Sequence, residues 1–383
     1  MRVIHLKRTF LQRTETWVHL ILAHLPPEKA VVLTRDVEEQ DRFPGVNLRA
    51  FSLEPTNWHR HWSDMNYRLL RRMTDYERQF YLREIRALQP DLLHAHYAVD
   101  AAYFASIWRQ VRRPVVVSCC GYDVSSFPNR YLGWGRHYLQ PVWRYASLIL
   151  AYSNDMREDL LRLGCPDEKI RLHYHGIDLA RFKYVERDST TAPVRILFVG
   201  SLTDRKGVED VLRAFAQIAT QCHQLELRFV GSGPLRSKLE QQARAHGLEN
   251  RVSFAGFVRH EELHSEFSGA HIFCHPSRTL KNGIKEGIPG TIVEAMATGL
   301  PVVTTRHAGI PEMVRDGEDG FVVAERDVTA IAQALLTLVD EPDLRALMGR
   351  KATRQVQQKA DAVRLTAELE AIYGDVIAST RVS

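Results

Sequence analysis

Val194-Arg195-Ile196-Leu197-Phe198-Val199-Gly200, midway along a chain of 383 residues, is where a pattern starts again. A short β-branched and aromatic run ending at glycine reads as a buried strand entering a loop. Just before it, residues 183–193 (KYVERDSTTAP) are polar, lack apolar periodicity and end in proline, which predicts a linker. Upstream, similar runs lie at Val3–Leu6, Ala30–Thr34, Leu92–His96, Val115–Cys120 and Leu148–Ala151, with a helix expected over Trp17–His24. Downstream they recur at Leu225–Val230, Val252–Phe254, His271–His275 and Pro301–Thr304. Short apolar strands alternating with helices mean parallel sheets covered on both faces. The prediction is an α/β protein of two doubly wound domains, 1–182 and 194–360, facing across a cleft. Ligands of such sheets bind beyond the carboxyl ends of the strands. A last apolar helical pattern (Leu365, Leu369, Ile372, Tyr373, Ile377) predicts that residues 361–383 form a helix that can return to the first domain.

Hydrophobic residues make up 45% and charged residues 25% of the chain, which excludes disorder, collagen and coiled coil as whole-chain descriptions. No apolar run reaches the roughly 18–20 residues of a membrane span. The N-terminus turns polar at Lys7-Arg8, so no signal peptide is expected. Five scattered cysteines without C-x-x-C spacing fit a reducing, cytoplasmic compartment. The net charge of +5 is unevenly placed: residues 1–183 hold 27 Lys+Arg against 20 Asp+Glu, the remainder 24 against 26. A basic front half fits an anionic substrate or the inner face of an anionic membrane; no nucleic-acid module accompanies it.

Chemistry concentrates at Glu286-Gly-Ile-Pro-Gly-Thr-Ile-Val-Glu294-Ala-Met-Ala-Thr-Gly-Leu-Pro-Val-Val. Gly287, Pro289 and Gly290 put Glu286 on a loop. Thr291 is expected to open a helix with Glu294 at capping-box spacing. Free N–H groups at such a start attract phosphate, and a carboxylate accepts hydrogen bonds from sugar hydroxyls. A capped helix beside a solvated glutamate explains the spacing equally well. No H-E-x-x-H and no D-x-D occurs, so neither a metal nor another cofactor is expected. Trp58, Trp62, Met65, Leu69, Met73, Tyr76 and Phe80 step by three and four, one stripe of a helix, with Arg60, Arg68, Arg71, Arg72 and Arg78 around it. That stripe fits either packing on the sheet or an anionic membrane surface.

The E-x₇-E element followed by E-A-M-A-x-G-x-P-V-V resembles that of retaining glycosyltransferases of the group 1 family, which have the GT-B fold of two Rossmann-like domains. Val199-Gly200-Ser201-Leu202-Thr203-Asp204-Arg205-Lys206-Gly207 is similar to the family's first turn, His175-Gly176-Ile177-Asp178 to its segment before the linker, and Val230-Gly231-Ser232-Gly233-Pro234 to its second glycine turn. Asp91-Leu-Leu-His-Ala-His96 resembles D-x-x-H-x-H. Thr14-Glu15-Thr16-Trp17 resembles the S-E-T-F of members that make exopolysaccharides of the colanic-acid type.

The resemblance implies transfer of a hexosyl unit from a nucleoside diphosphate sugar to a saccharide or lipid-linked saccharide; the motifs do not record the base, and UDP-hexose is expected ahead of GDP-mannose. Glu286 would hold the donor sugar and Glu294 the ribose. Arg205 and Lys206 would neutralise the diphosphate, aided by the amides of Gly290, Thr291 and Ile292. Gly200, Ser201 and Cys120 would line the donor, and Glu15, Thr16, His96 and Asp123 the acceptor. Two departures stand out: Ser201 occupies a position where the family often has arginine, and Cys120 occupies that of a donor-contacting histidine. The competing expectations are a sugar phosphorylase or epimerase of the same fold, and a non-catalytic nucleotide-sugar-binding homologue, the latter motivated by Cys120.

Overall fold

The computed structural model describes every residue except 11–15, 39–44, 55–56, 131–132, 189–191 and 383, with only the backbone of 16, 381 and 382. The chain divides into two compact units, residues 1–176 with 362–383, and residues 177–361.

The first unit is built on seven parallel strands: β1 (Val3–Phe10), β2 (Ala30–Val37), β3 (Asn47–Ala50), β4 (Leu92–His96), β5 (Val115–Ser118), β6 (Leu148–Ala151) and β7 (Ile170–Leu172). Their order is β3-β2-β1-β4-β5-β6-β7, so the chain runs outward from β1 to one edge and then to the other. Direction reverses between β1 and β4, whose residues pair in register from Val3↔Leu92 to Leu6↔Ala95. The central strands are legible because they are buried on both faces. The edge strands β3 and β7 were not expected from the sequence; half-exposed, they need no apolar run.

The helix Ala362–Val382 belongs to this unit. Leu369, Ile372, Tyr373 and Val376 pack on Val3, Leu92, Val116 and Leu150, one from each of β1, β4, β5 and β6. At roughly 25 cal/mol per Å² of apolar surface, burying such side chains contributes about 1.5–3 kcal/mol each.

The stripe expected as one helix is two, Trp58–Leu70 and Asp75–Leu88. Arg71 ends the first in left-handed backbone (φ 54°), and the Thr74 side chain caps the second at the Glu77 amide. The break separates the two readings. Met73, Tyr76 and Phe80 pack on the core, whereas Trp58 (70% exposed), Trp62 (53%), Met65 (45%) and Leu69 (73%) do not.

The second unit carries β8 (Val194–Val199), β9 (Leu225–Val230), β10 (Val252–Gly256), β11 (Ile272–His275), β12 (Val302–Thr305) and β13 (Gly320–Val323), all parallel and ordered β10-β9-β8-β11-β12-β13. Here the reversal lies between β8 and β11.

The boundary falls after Gly176 rather than after residue 182, and the described part of 183–193 is not a free linker. Ile177 and Phe182 join the apolar core of the second unit. The Arg187 guanidinium donates to the carbonyls of Val185 (2.9 Å), Phe267 (2.9 Å), Ala270 (2.7 Å) and Thr298 (2.7 Å). Phe267 and Thr298 lie at the C-terminal ends of the helices Leu263–Ser268 and Gly290–Ala297, where carbonyls lack helical partners and a cation is favourable. A polar composition reads as solvated, but these polar atoms bind backbone.

Candidate active site

The loops beyond β8, β11, β12 and β13 meet in the second unit. After β8 the chain forms a tight turn over Asp204–Lys206, closed by Gly207 in left-handed backbone (φ 66°). A Cβ on Gly207 would come within 1.9 Å of the Pro276 carbonyl oxygen, so only glycine fits. Buried Arg278 fixes the same turn. It donates to the Asp204 carbonyl (2.9 Å) and to the carboxylates of Asp204 and Asp210, the latter at 2.7 Å, while its own amide donates to the Arg205 carbonyl (2.8 Å).

The turn thus presents two cations to one carboxylate. Arg205 Nε lies 2.8 Å from Glu286 Oε1, and Lys206 Nζ donates to Glu286 Oε2. The Lys206 and Glu286 side chains are largely shielded from water, which makes the pairing stronger than a surface ion pair. Residues expected at the diphosphate and at the sugar therefore form a single cluster. The Gly200 turn adjoins it: buried His275 stacks on Phe198 and points its Nε2, without a hydrogen-bond partner among the described residues, toward Gly200. Burial, then the Lys206 charge, hold this histidine well below its usual pKa, so it is neutral.

The helix after the Gly/Pro loop begins at Gly290, with Pro289 as its cap. The expected capping box is absent. Thr291 lies inside the helix, and Glu294 turns to His260 instead, Oε1 to Nε2 at 2.8 Å. Arg181 donates to His260 Nδ1 (3.0 Å), which leaves Nε2 as the protonated nitrogen facing Glu294. The other Glu294 oxygen, Oε2, is buried and accepts no hydrogen bond among the described residues. The Ile292 amide is already engaged by the Pro289 carbonyl (3.0 Å), so of the three amides expected for phosphate only those of Gly290 and Thr291 remain as first N–H groups of the helix.

Two family models match the chain, Glycosyltransferase Family 4 over residues 14–181 and Glycosyl transferases group 1 over residues 185–355. The putative colanic acid biosynthesis glycosyltransferase WcaL of Salmonella typhimurium is 31% identical over 350 residues, 88% of this chain and 84% of that one. This chain is a group 1 glycosyltransferase. The amylovoran biosynthesis glycosyltransferase AmsK of Erwinia amylovora is 37% identical over 191 residues, 50% of this chain and 47% of that one. Anabaena Alr3699/HepE, solved in complex with UDP, has a TM-score of 0.78 at 21% identity, covering 98% of this chain and 100% of that one; the fold is GT-B.

The first unit of this glycosyltransferase treats its expected residues differently. Glu15 lies outside the described residues, and Thr16 begins the helix Thr16–Ala23. Asp123, also expected at the acceptor, is committed to backbone amides. Fully buried, it accepts from the amides of Ala98 (2.6 Å) and Cys120 (2.8 Å), and burial raises its pKa to about 7. Cys120 is half-buried at the start of the helix Gly121–Ser125.

His96, also expected at the acceptor, is enclosed by other rings. It is fully buried, stacked on His5 and hydrogen-bonded to it (2.9 Å), with the edge of Trp17 against it. Neighbouring His94 bonds Tyr373 (2.6 Å) and Ser118 (2.7 Å). The ring nitrogens of His5, His94 and His96 come within 4.8 Å of one another, but His94 has both of its nitrogens engaged and the other two bond each other. Burial depresses all three pKa values, that of His5 to about 3.

Sequence reasoning missed His260 and Arg278. Neither stands in a periodic or spaced pattern; each acts through a neighbour that only the fold supplies. Among the described residues no helix is long and apolar enough to cross a membrane.

Proposed function

We propose that this glycosyltransferase moves a hexosyl unit, with retention of configuration, from a nucleoside diphosphate sugar to a saccharide or lipid-linked saccharide in exopolysaccharide synthesis. The observation that carries the reading is Glu294: a buried carboxylate with one oxygen fixed by His260 and the other lacking a donor. Vicinal ribose hydroxyls are donors of the right kind, and an unmet buried acceptor costs about 1–3 kcal/mol. Arg205 and Lys206 suit the diphosphate, aided by the amides of Gly290 and Thr291, with Gly200 and Ser201 near the donor. Glu286, released from the two cations as phosphate takes them, faces the sugar. The departing phosphate takes the acceptor proton on the same face. WcaL and AmsK, named for colanic acid and amylovoran, support the product class, and the UDP-glucose complex of HepE supports UDP-hexose over GDP-mannose.

Melting with UDP, GDP and UDP-glucose tests this; a ligand at 100 times its Kd stabilises by about 2.7 kcal/mol. No shift with any of them refutes the donor site. Release of UDP means transfer, and release of sugar 1-phosphate means phosphorolysis.

The helix Trp58–Leu70 supports peripheral attachment to the inner face of an anionic membrane. Trp58, Trp62, Met65 and Leu69 expose one apolar face, with Arg60, Arg68, Arg71 and Arg72 around it. Sedimentation with anionic vesicles at low salt, lost at high salt and in Trp58→Ser/Trp62→Ser, is the expected result. Absence of low-salt binding overturns it.

A further inference from the structure

Glu286 sits at the end of a loop, residues 279–286, that follows β11 and carries Gly283 and no regular structure. A carboxylate on such a segment needs something to fix its backbone. Two side chains, neither with an assigned role, do so from adjacent strands. His307 lies two residues after β12 and Glu325 two residues after β13, and Thr305 pairs with Val323 where those strands end.

Their bonds form a closed chain. The Glu286 amide donates to His307 Nε2 (3.0 Å). His307 Nδ1 meets Glu325 Oε1 at 2.6 Å. Glu325 also accepts from the Thr279 hydroxyl (2.9 Å, Oε1) and the Thr279 amide (2.8 Å, Oε2). The loop is thus held at its first residue by Glu325 and at its last by His307, and the two holders are bonded to each other.

The partners fix the tautomer. Nε2 must be bare to accept from an amide, so Nδ1 carries the proton and donates to the carboxylate. The backbone turns left-handed directly after each holder, at Ala308 (φ 44°) and at Arg326 (φ 67°). Non-glycine residues adopt that conformation at a cost and keep it where surroundings over-determine it. Arg326 adds a bond to the Thr279 carbonyl (2.8 Å). His307 is fully buried with both nitrogens engaged, so it cannot touch a substrate.

We infer that His307 and Glu325 are positioning residues that set the backbone of Glu286, and through it the carboxylate that faces the donor sugar; this rests on the role proposed for Glu286 above. The relay bears on turnover more than on nucleotide affinity, because Glu294 stands outside it and Arg205 and Lys206 leave the Glu286 carboxylate when phosphate takes them. Misplacing a reacting group by about 1 Å can cost roughly 100-fold.

The test uses the full chain with UDP and UDP-glucose. Glu325→Ala removes a partly exposed side chain and leaves the fold intact. It is expected to lower kcat, read as UDP release, by ten- to a hundredfold with the Kd for UDP within twofold. His307→Phe falls further, and His307→Gln, which keeps an acceptor for the Glu286 amide, regains at least tenfold over it. Two readouts need no donor. Long-range ¹H–¹⁵N spectra show the Nδ1–H form of His307 in the wild type and not in Glu325→Ala. Hydrogen exchange of residues 279–286 accelerates at least tenfold in Glu325→Ala. A wild-type ring protonated at Nε2, or unchanged exchange in Glu325→Ala, overturns the relay whether or not His307→Phe folds. Normal turnover in Glu325→Ala beside an inactive Glu286→Gln overturns the relay and leaves the donor reading standing. Normal turnover in Glu286→Gln removes the donor reading, and this inference with it.

Discussion

The two units share a parallel doubly wound sheet, yet their strand ends differ in kind. In the first, β1, β4 and β5 deliver His5, His94, His96 and Ser118 into a buried network of neutral rings under Trp17 and Tyr373, beside ion pairs of Lys7 with Asp100 and Arg35 with Glu77. In the second, the strand ends deliver charge: Arg205 and Lys206 on Glu286, His260 on Glu294, Arg278 across Asp204 and Asp210. The topology is common to both, so it does not decide where the chemistry lies. Buried ion pairs (Lys7 with Asp100, Arg35 with Glu77) and a bare carboxylate oxygen (Glu77 Oε2) occur in the first unit as well, so the deciding feature is that in the second unit such groups gather on the loops beyond β8 and β11 and on the helix that follows.

Four measurements break or sharpen that contrast. The largest effect is expected for Glu286→Gln, which keeps the shape and removes the charge. Loss of a preorganised electrostatic group typically costs about 10²–10³ in kcat, while the Kd for UDP should change only modestly. Normal turnover with lost UDP binding would mean that the two glutamates exchange roles. Next is Lys206→Ala, where the lost charge-assisted contact is worth about 1.5–3 kcal/mol of UDP affinity by calorimetry. Equal affinity in both proteins would remove lysine from the diphosphate.

The third concerns acid and the first unit. His5, His94, His96 and His175 are pushed down by burial, that of His5 to about 3, while burial raises Asp123 and Glu77 to about 7. Between roughly pH 5 and 6 the unfolded chain takes up protons on four histidines that the folded chain refuses. The folded chain holds two on carboxyls that the unfolded chain largely lacks. The unfolded state binds more, so stability falls as pH falls, by at most about 2.7 kcal/mol per pH unit. Hydrogen exchange should show the first unit opening more readily at pH 5 than at pH 6; the reverse order would mean that the carboxyls outweigh the rings.

The smallest effect is expected for Glu294→Ala, about tenfold in UDP affinity, or 1.4 kcal/mol. Unchanged affinity would show that its bare oxygen does not meet the ribose.

Fold class, the central strands and the candidates Glu286, Arg205 and Lys206 were legible because each rests on local order; that Lys206 meets Glu286, 80 residues away, was decided by the fold. Apolar runs mark strands buried on both faces, and Gly207 or Pro289 punctuates a turn wherever it stands. The E-x₇-E spacing likewise lies within one segment. The tertiary structure alone decided what depends on partners distant in sequence. Asp123 looked like a free carboxylate until the Ala98 amide reached it across the sheet, and Thr291 looked like a cap until Pro289 took that place. Arg187 looked like linker until four carbonyls surrounded it. His307 had no pattern to betray it, because its role is defined by Glu286 and Glu325, 21 and 18 residues away. Sequence records which groups are available; burial and hydrogen bonding determine which remain free to act.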